Sequence, residues 1–409
     1  MNPLFVGIDI GATQNVVQTM DVHGDLVARF TVANDLAGTT VLVEQIIDSA
    51  TRVGADTVRI GMEATNIYWW HLHQALYDNP ALATLKPQVA ILNAKVIHGF
   101  KKIYPDVVKT DTMDARVIAD CLRFGRVRYT PPPDFRYAAL QRLTRFRFHQ
   151  AGSLAREKNR ALNLVFLRFS NYSQECPFSN VFGKASEAVL TELTPDQIAD
   201  AAIDELIELI LQHSNNRLQD PPAIAKELQT IARKAYRLHP KMQNSVEVAL
   251  AMSLETIRFF EQQLKKLDKV IAREVRAIPN TLRSIPGIGP VYEAGILAEI
   301  GDIDRFKDHN VLAKFAGLTW RQHQSSTFTA EDIPLSRSGN FYLRYYLVEA
   351  ANSVRVREPE YAAFYQRKYA EARHHHHKRA LVLTARKLVR LVFALLSEGQ
   401  IYQPRRSIR

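Results

Sequence analysis

Four carboxylates stand out by the company they keep. Asp9 interrupts the apolar run VGIDIG, and Glu63 interrupts IGMEAT; both runs otherwise read as buried strands. A carboxylate in such a place is destabilising unless a cation or ligand neutralises it. Asp111 and Asp114 lie three apart at the start of the helical pattern DTMDARVIADCLRFGR, so they share one helix face. Singly, each has an ordinary reading: Asp111 as an N-cap, Asp114 as a solvated helix residue, Asp9 or Glu63 as half of a buried ion pair. As a set of four from three elements they read as oxygen ligands for hard divalent cations, Mg²⁺ first among them. Two such ions can activate a nucleophile and stabilise the leaving oxygen of a phosphodiester. Asp120, a further turn along the helix, is a weaker helper.

A second set of residues could handle phosphate. The loop after AGLTWRQHQ carries Ser325, Ser326, Thr327 and Thr329, with Arg321, His323, Arg337 and Arg344 close in sequence. Hydroxyls in polar loops usually cap or turn the chain; beside several phosphate-binding cations, one of them can serve as a nucleophile. Arg142, Arg145 and Arg147 alternate with Phe146 and Phe148, the footprint of a polyphosphate partner. The segment SIPGIGPVYEAGILAEIGD has the look of a helix-hairpin-helix, in which Gly287 and Gly289 would let backbone amides approach a DNA phosphate. A tight corner with glycines used only for packing is the alternative. The run His374 to His377, flanked by Arg373, Lys378 and Arg379, reads as a polar or nucleic-acid-facing stretch before it reads as a metal site.

The elements that must position these residues follow from periodicity. Residues 1 to 94 carry a net charge of −5, 95 to 170 of +10, 171 to 332 of −4 and 333 to 409 of +10, so two segments hold the excess that makes the chain +11 overall. The first 33 residues read as a three-stranded antiparallel meander. A helix near 38–53, a strand TVRIGMEA, a helix near 66–78 and a strand PQVAILNA follow, which makes an α/β domain over 1–135. The region 136–278 is helical; Leu250, Leu254, Ile257, Leu264, Leu267, Ile271 and Val275 form a coiled-coil-like seam expected to join a second copy of the chain. Residues 279–409 form a mainly helical third domain. No run is apolar enough to cross a membrane, the N-terminus lacks a basic leader, and the two cysteines fit neither a disulfide scaffold nor a zinc site, so a cytoplasmic protein is expected. The GIDIG turn alone is shared with sugar and acetate kinases, but no second phosphate hairpin or adenosine loop follows.

Taken together, GIDIG, GMEATNIYW, KTDTMDARVIADCLRFG, IPGIGPVYEAGILAEIGD, FAGLTWRQHQSS and SRSGNFYLRYYLVEAA resemble the DEDD-type insertion-sequence transposases, the RNA-guided serine recombinases, across nearly the whole chain. The resemblance implies a RuvC-like N-terminal domain with an RNase H fold, whose Asp9, Glu63, Asp111 and Asp114 hold Mg²⁺. It also implies a C-terminal transposase domain whose serine attacks DNA and becomes covalently joined to it. That serine maps to Ser325, with Ser326 second because many relatives read Ser-Gly where this chain reads Ser-Ser. Donor and target DNA, an element-encoded bridge-type guide RNA, and a dimer that becomes a tetramer are the implied partners. The rival expectations are a RuvC-like endonuclease that uses the carboxylates and a metal-bound water, and a DNA-binding protein with no catalysis.

Overall fold

The computed structural model describes residues 2–404 apart from 65, 105–109, 126, 130, 131, 133, 215–217, 321–323, 326, 327, 330–334 and 337, with the backbone alone at 324, 325, 328 and 329. The chain divides into two compact units, Met1–Pro133 and Asp134–Arg409.

The first unit is a five-stranded mixed sheet with helices on both faces. β1 (Pro3–Ile10), β2 (Gln14–Met20) and β3 (Leu26–Ala33) form the expected meander, closed by an Asp21–Asp25 turn. α1 (Leu36–Arg52), β4 (Thr57–Glu63), α2 (Trp69–Tyr77), β5 (Gln88–Leu92), α3 (Ala94–Lys101) and α4 (Asp111–Arg123) follow. The strand order is β3-β2-β1-β4-β5, with β1, β4 and β5 mutually parallel, a layout consistent with the RuvC-like expectation. The two-residue side-chain period of a strand sorts the two faces. Leu4, Val6, Ile8 and Ile10 point to one face and bury against Leu42, Ile46, Leu72 and Leu76 of α1 and α2. Phe5, Gly7 and Asp9 point to the other, where α4 crosses. Gly7 is there because nothing larger fits: a methyl group would fall 2.1 Å from the Ala115 carbonyl oxygen and 2.5 Å from the Ala119 nitrogen. Gly61 of β4 faces the Leu122 side chain, whose Cδ1 a methyl would meet at 2.9 Å.

The second unit is helical and has two cores. α5 (Phe135–Arg168) runs to α6 (Lys184–Glu192), α7 (Pro195–Asp200), α8 (Ile203–Ser214) and α9 (Pro221–Lys234), and α10 (Pro240–Glu274) returns along α5. The seam expected to meet a second copy meets α5 instead. Leu250, Leu254 and Ile257 share a core with Ala161, Val165 and Phe169, while Ile271 and Val275 share the other core with Leu140. The reason is that α5 carries its own apolar stripe, and polar pairs fix the antiparallel register: Ser253 Oγ donates to Glu157 at 2.6 Å, Lys158 meets Glu261 at 2.7 Å, and Arg147 meets Asp268 at 2.5 Å. The helix-hairpin-helix expectation is also corrected. α11 (Pro290–Ile300) is a helix, but its intended partner limb is a three-residue 3-10 turn, Leu282–Ser284, because Pro279 and Pro286 stop helical hydrogen bonding on either side.

α12 (His309–Phe315) leads through a hairpin of β6 (Gln324–Ser325) and β7 (Phe328–Thr329) to α13 (Phe341–Arg357), α14 (Pro359–Ala370) and α15 (His376–Glu398). α11 is almost wholly buried among α5, α10 and α13, and its Gly295 lies flat on the Tyr346 ring, 2.4 Å from where a methyl would stand. Glu299, near the end of α11, is buried and fully satisfied. It accepts from Arg145 Nε at 2.7 Å and Nη2 at 2.8 Å, from Gln141 Nε2 at 3.2 Å and from Asn340 Nδ2 at 2.7 Å. Three elements thus meet on one carboxylate.

Two substitutions test this packing by urea unfolding. Gly7→Ala forces α4 off the sheet and costs about 1–3 kcal/mol. Glu299→Ala leaves the Arg145 guanidinium half-buried without its partner and costs about 3–5 kcal/mol; Glu299→Gln, which keeps the shape, costs less.

Candidate functional site

The carboxylates of the first unit gather at one end of the sheet. β1 and β4 run parallel with Ile8 opposite Met62, so Asp9 and Glu63 come next on the two strands and point to the face that α4 covers. The N-terminus of α4 lies over that end. Its cap is Thr110, whose Oγ1 accepts from the Met113 amide at 3.2 Å, and this releases Asp111 from the capping role that a sequence reading allows it. Asp111 and Asp114 then stand in the first turn of α4. The charge of the quartet is felt at Asp9, whose pKa is pushed up to about 6, first by burial and then by Asp114, Asp111 and Glu63, with Lys101 opposing. All four carboxylates therefore act within one electrostatic field. Among the described residues no three of these groups close into a cage around a metal ion. The donor set is nonetheless chemically that of a hard divalent cation, and its surplus negative charge is what such an ion would relieve.

Sequence reasoning missed Lys101. Its ammonium is ion-paired with Asp114, where α3 packs on α4. No spacing signal links positions 101 and 114; only the tertiary packing does. Asp120 is engaged elsewhere, by the Tyr104 hydroxyl and by Arg123 at 2.7 Å.

Ser325 belongs to the second unit. The segment leaving α12 and the segment entering α13 run side by side: Asn340 N donates to Phe315 O at 2.6 Å, Ser336 N donates to Thr319 O at 2.8 Å, and Trp320 bridges Leu335. Gly317 (φ +68°) and Gly339 (φ +138°) make this crossing possible, since a methyl on Gly339 would meet the Phe315 carbonyl oxygen at 2.5 Å. Farther out, Ser325 pairs with Phe328, so it is the last residue of β6 and two residues separate it from β7. Ser326, Arg321 and Arg337 lie outside the described residues.

The residues expected to face nucleic acid divide. Arg142 stands exposed on α5. Arg145 is committed to Glu299 and stacks over the Tyr342 ring at 4.6 Å, and Arg147 is committed to Asp268, so their charge is used inside the fold. Arg344 donates to Ala316 O at 3.4 Å beside Gly317. Gly287 (φ +103°) is pressed on α13, where a methyl would meet the Ser353 carbonyl at 2.9 Å, so packing accounts for it; Gly289 is the N-cap of α11. Two histidines of the His374–His377 run fasten α15 to α14: His377 Nδ1 meets the Tyr365 hydroxyl at 2.7 Å and His376 Nδ1 meets the Tyr369 carbonyl at 2.9 Å. No helix among the described residues is long and apolar enough to cross a membrane.

Two family models match separate parts of the chain, and the first extends beyond the Met1–Pro133 unit through α5. The family model of IS110-type DEDD transposases, described as a transposase, matches residues 6–169, and that of the transposase IS116/IS110/IS902 family matches residues 280–366. The chain is 24% identical to an uncharacterized protein of insertion element IS116 from Streptomyces clavuligerus and 26% identical to one of insertion element IS110 from Streptomyces coelicolor, in both cases over 98% of this chain and 96% of the relative. It is 27% identical to the transposase for insertion sequence element IS1111A of Coxiella burnetii, over 50% of this chain and 56% of that one.

The elevated Asp9 pKa makes a signed prediction. The folded state resists ionising Asp9, so in chelator the chain loses stability as pH rises from about 4 through about 6. Asp9→Asn removes that loss. Thermal unfolding should find it more stable than wild type by about 1–2 kcal/mol near pH 8, after allowance for solvent screening, and no different below about pH 4.

Proposed function

We propose that this chain, which belongs to the IS110/IS116 family of DEDD insertion-element transposases, moves its element by cleaving and rejoining DNA with Asp9, Glu63, Asp111 and Asp114 as one half of the chemistry and Ser325 as the other. The observation that carries the reading is the gathering of four carboxylates from β1, β4 and α4 into one field that lifts Asp9. These four residues would hold Mg²⁺, which when bound polarises phosphoryl oxygens and stabilises charge on a leaving oxygen. Lys101 must then give up Asp114 and becomes available to a phosphate.

In this reading the Ser325 hydroxyl attacks a backbone phosphorus. A serine–phosphate bond forms as a DNA P–O bond breaks, and the serine proton ends on the departing DNA hydroxyl. Rejoining is the reverse with a different DNA end, so the number of phosphodiester bonds is conserved and no external energy source enters. Position supports Ser325: it closes a strand of a hairpin carried on a glycine-locked base, with Arg344 packed at that base. An element-encoded guide RNA and a dimer-to-tetramer assembly complete the proposal. Their support is the motif resemblance and the two basic segments of the sequence. The DEDD character of the family favours a second reading, in which the carboxylates direct hydrolysis by water and no serine takes part.

A suicide-substrate assay separates the two. Purified chain, flanking-element RNA, Mg²⁺ and nicked donor DNA should give a protein–DNA adduct that survives denaturation. Ser325→Ala and Glu63→Ala should each reduce it by about 10³-fold or more, with Ser326→Ala close to wild type. Cleaved DNA with no adduct, indifferent to both serines, would establish the second reading.

A further inference from the structure

We propose that Lys101 holds the place of the divalent cation: its ammonium neutralises Asp114 in the metal-free chain, must leave when a metal is bound, and so sets how tightly the site takes one. Lys101 has this role only if the four-carboxylate reading above holds, and the role is independent of Ser325.

The fold of the first unit places the pair. Asn93, directly after β5, caps α3 by accepting from the Lys95 amide at 2.9 Å. Ile97 is buried in a core with Val117, Ile118 and Leu122 of α4, and Phe100 packs against that core. Helical spacing puts Lys101 one turn beyond Ile97, at the last residue of α3 and on the side turned to α4. Its ammonium there reaches Asp114, in the first turn of α4. Its charge is also felt at Asp9, where it opposes those of Asp114, Asp111 and Glu63. A cation of the chain itself thus acts in the field that a metal ion would enter.

Three features make this pair exchangeable rather than structural. First, α3 does not need it to stay on α4. Ile97 and Phe100 hold the helix by apolar contact, the Phe100 ring stands 5.8 Å from that of Phe124, and the Tyr104 hydroxyl donates to Asp120 farther along α4. Second, the pair is open to water: the Lys101 side chain is 25% exposed and that of Asp114 20%, so the long stem can swing outward. Third, the displaced ammonium has other partners. The last carbonyls of α3 carry partial negative charge that favours a cation, and a substrate phosphate beside the site would do the same.

The ammonium is paired with one carboxylate of the set, whereas a divalent ion brings twice the charge and bonds several oxygens. Metal binding therefore replaces a weak neutraliser by a stronger one and gives up the Lys101–Asp114 pair in doing so. Removing the ammonium beforehand takes away both that loss and the repulsion between the two cations.

A Mn²⁺ titration of the full chain, with free Mn²⁺ read by electron paramagnetic resonance, tests this in wild type and four variants. Lys101→Met and Lys101→Gln remove the charge, Lys101→Arg keeps it, and Lys102→Met removes the same charge from the exposed neighbouring position. Lys101→Met and Lys101→Gln should each bind Mn²⁺ about tenfold more tightly than wild type. Lys102→Met should stay within about twofold of wild type, and Lys101→Arg should bind no more tightly than it. A purely structural tie gives the opposite sign, because a loosened α3 would scatter the carboxylates and weaken binding. Equal or weaker binding by the Lys101→Met and Lys101→Gln variants, or equal tightening by Lys102→Met, would overturn the role of Lys101 and leave the metal reading intact. Saturable binding by none of the five proteins would overturn both.

Discussion

The contact on which the first unit depends is the seating of α4 against the sheet at Gly7. A helix backbone that close to a strand demands glycine, and nothing larger fits. The close approach also decides the electrostatics. It brings Asp111 and Asp114 over the ends of β1 and β4, where Asp9 and Glu63 already point, and the mutual repulsion of four carboxylates is borne by the packing of Val117, Ile118 and Leu122. Lys101 offsets part of that repulsion at Asp114. The site is therefore held in a state whose unfavourable charge would be relieved by a cation. Binding sites commonly store free energy of this kind, with the surrounding core over-determining the geometry.

The second unit solves a related problem in the opposite way. Glu299 is a buried charge that is completely paired, and its partners come from α5 and from the residue that caps α13. The same Asn340 that donates to Glu299 ends the segment carrying the Ser325 hairpin, so the base of that hairpin is tied to the core of the unit. The hairpin stands on a fixed base because the charge beneath it has nowhere else to go. Arg145 and Arg147 are spent on this framework, while the positive charge of α14 and α15 lies along an open cleft.

Much of this was legible in the sequence, and the failures have physical causes. The meander, β4, α2, β5 and α4 were readable because alternation and helical spacing are local signals, and Asp9 and Glu63 stood out as charges in apolar runs. The N-cap alternative for Asp111 fails because Thr110, one residue earlier, accepts from the Met113 amide. The seam on α10 was visible, but a stripe says only that a partner exists. That α5 fills the role depends on pairs such as Ser253–Glu157 and Arg147–Asp268, 96 and 121 residues apart, which periodicity does not encode. Arg145 and Arg147 looked like a phosphate-binding pair because their acidic partners, Glu299 and Asp268, are distant in sequence. The Gly287 turn resembled a phosphate-binding hairpin because close packing on a neighbouring helix requires glycine just as close approach to a phosphate does.

Asp9, Glu63, Asp111 and Asp114 are proposed to form one divalent-metal site. Its most direct test is a Mn²⁺ titration of the full chain followed by electron paramagnetic resonance, in wild type and in the Asp9→Asn, Glu63→Gln double variant. Saturable binding is expected in the wild type, displaced by excess Mg²⁺ and abolished in the double variant. Saturable binding of equal affinity in both proteins, or none in the wild type, would contradict it.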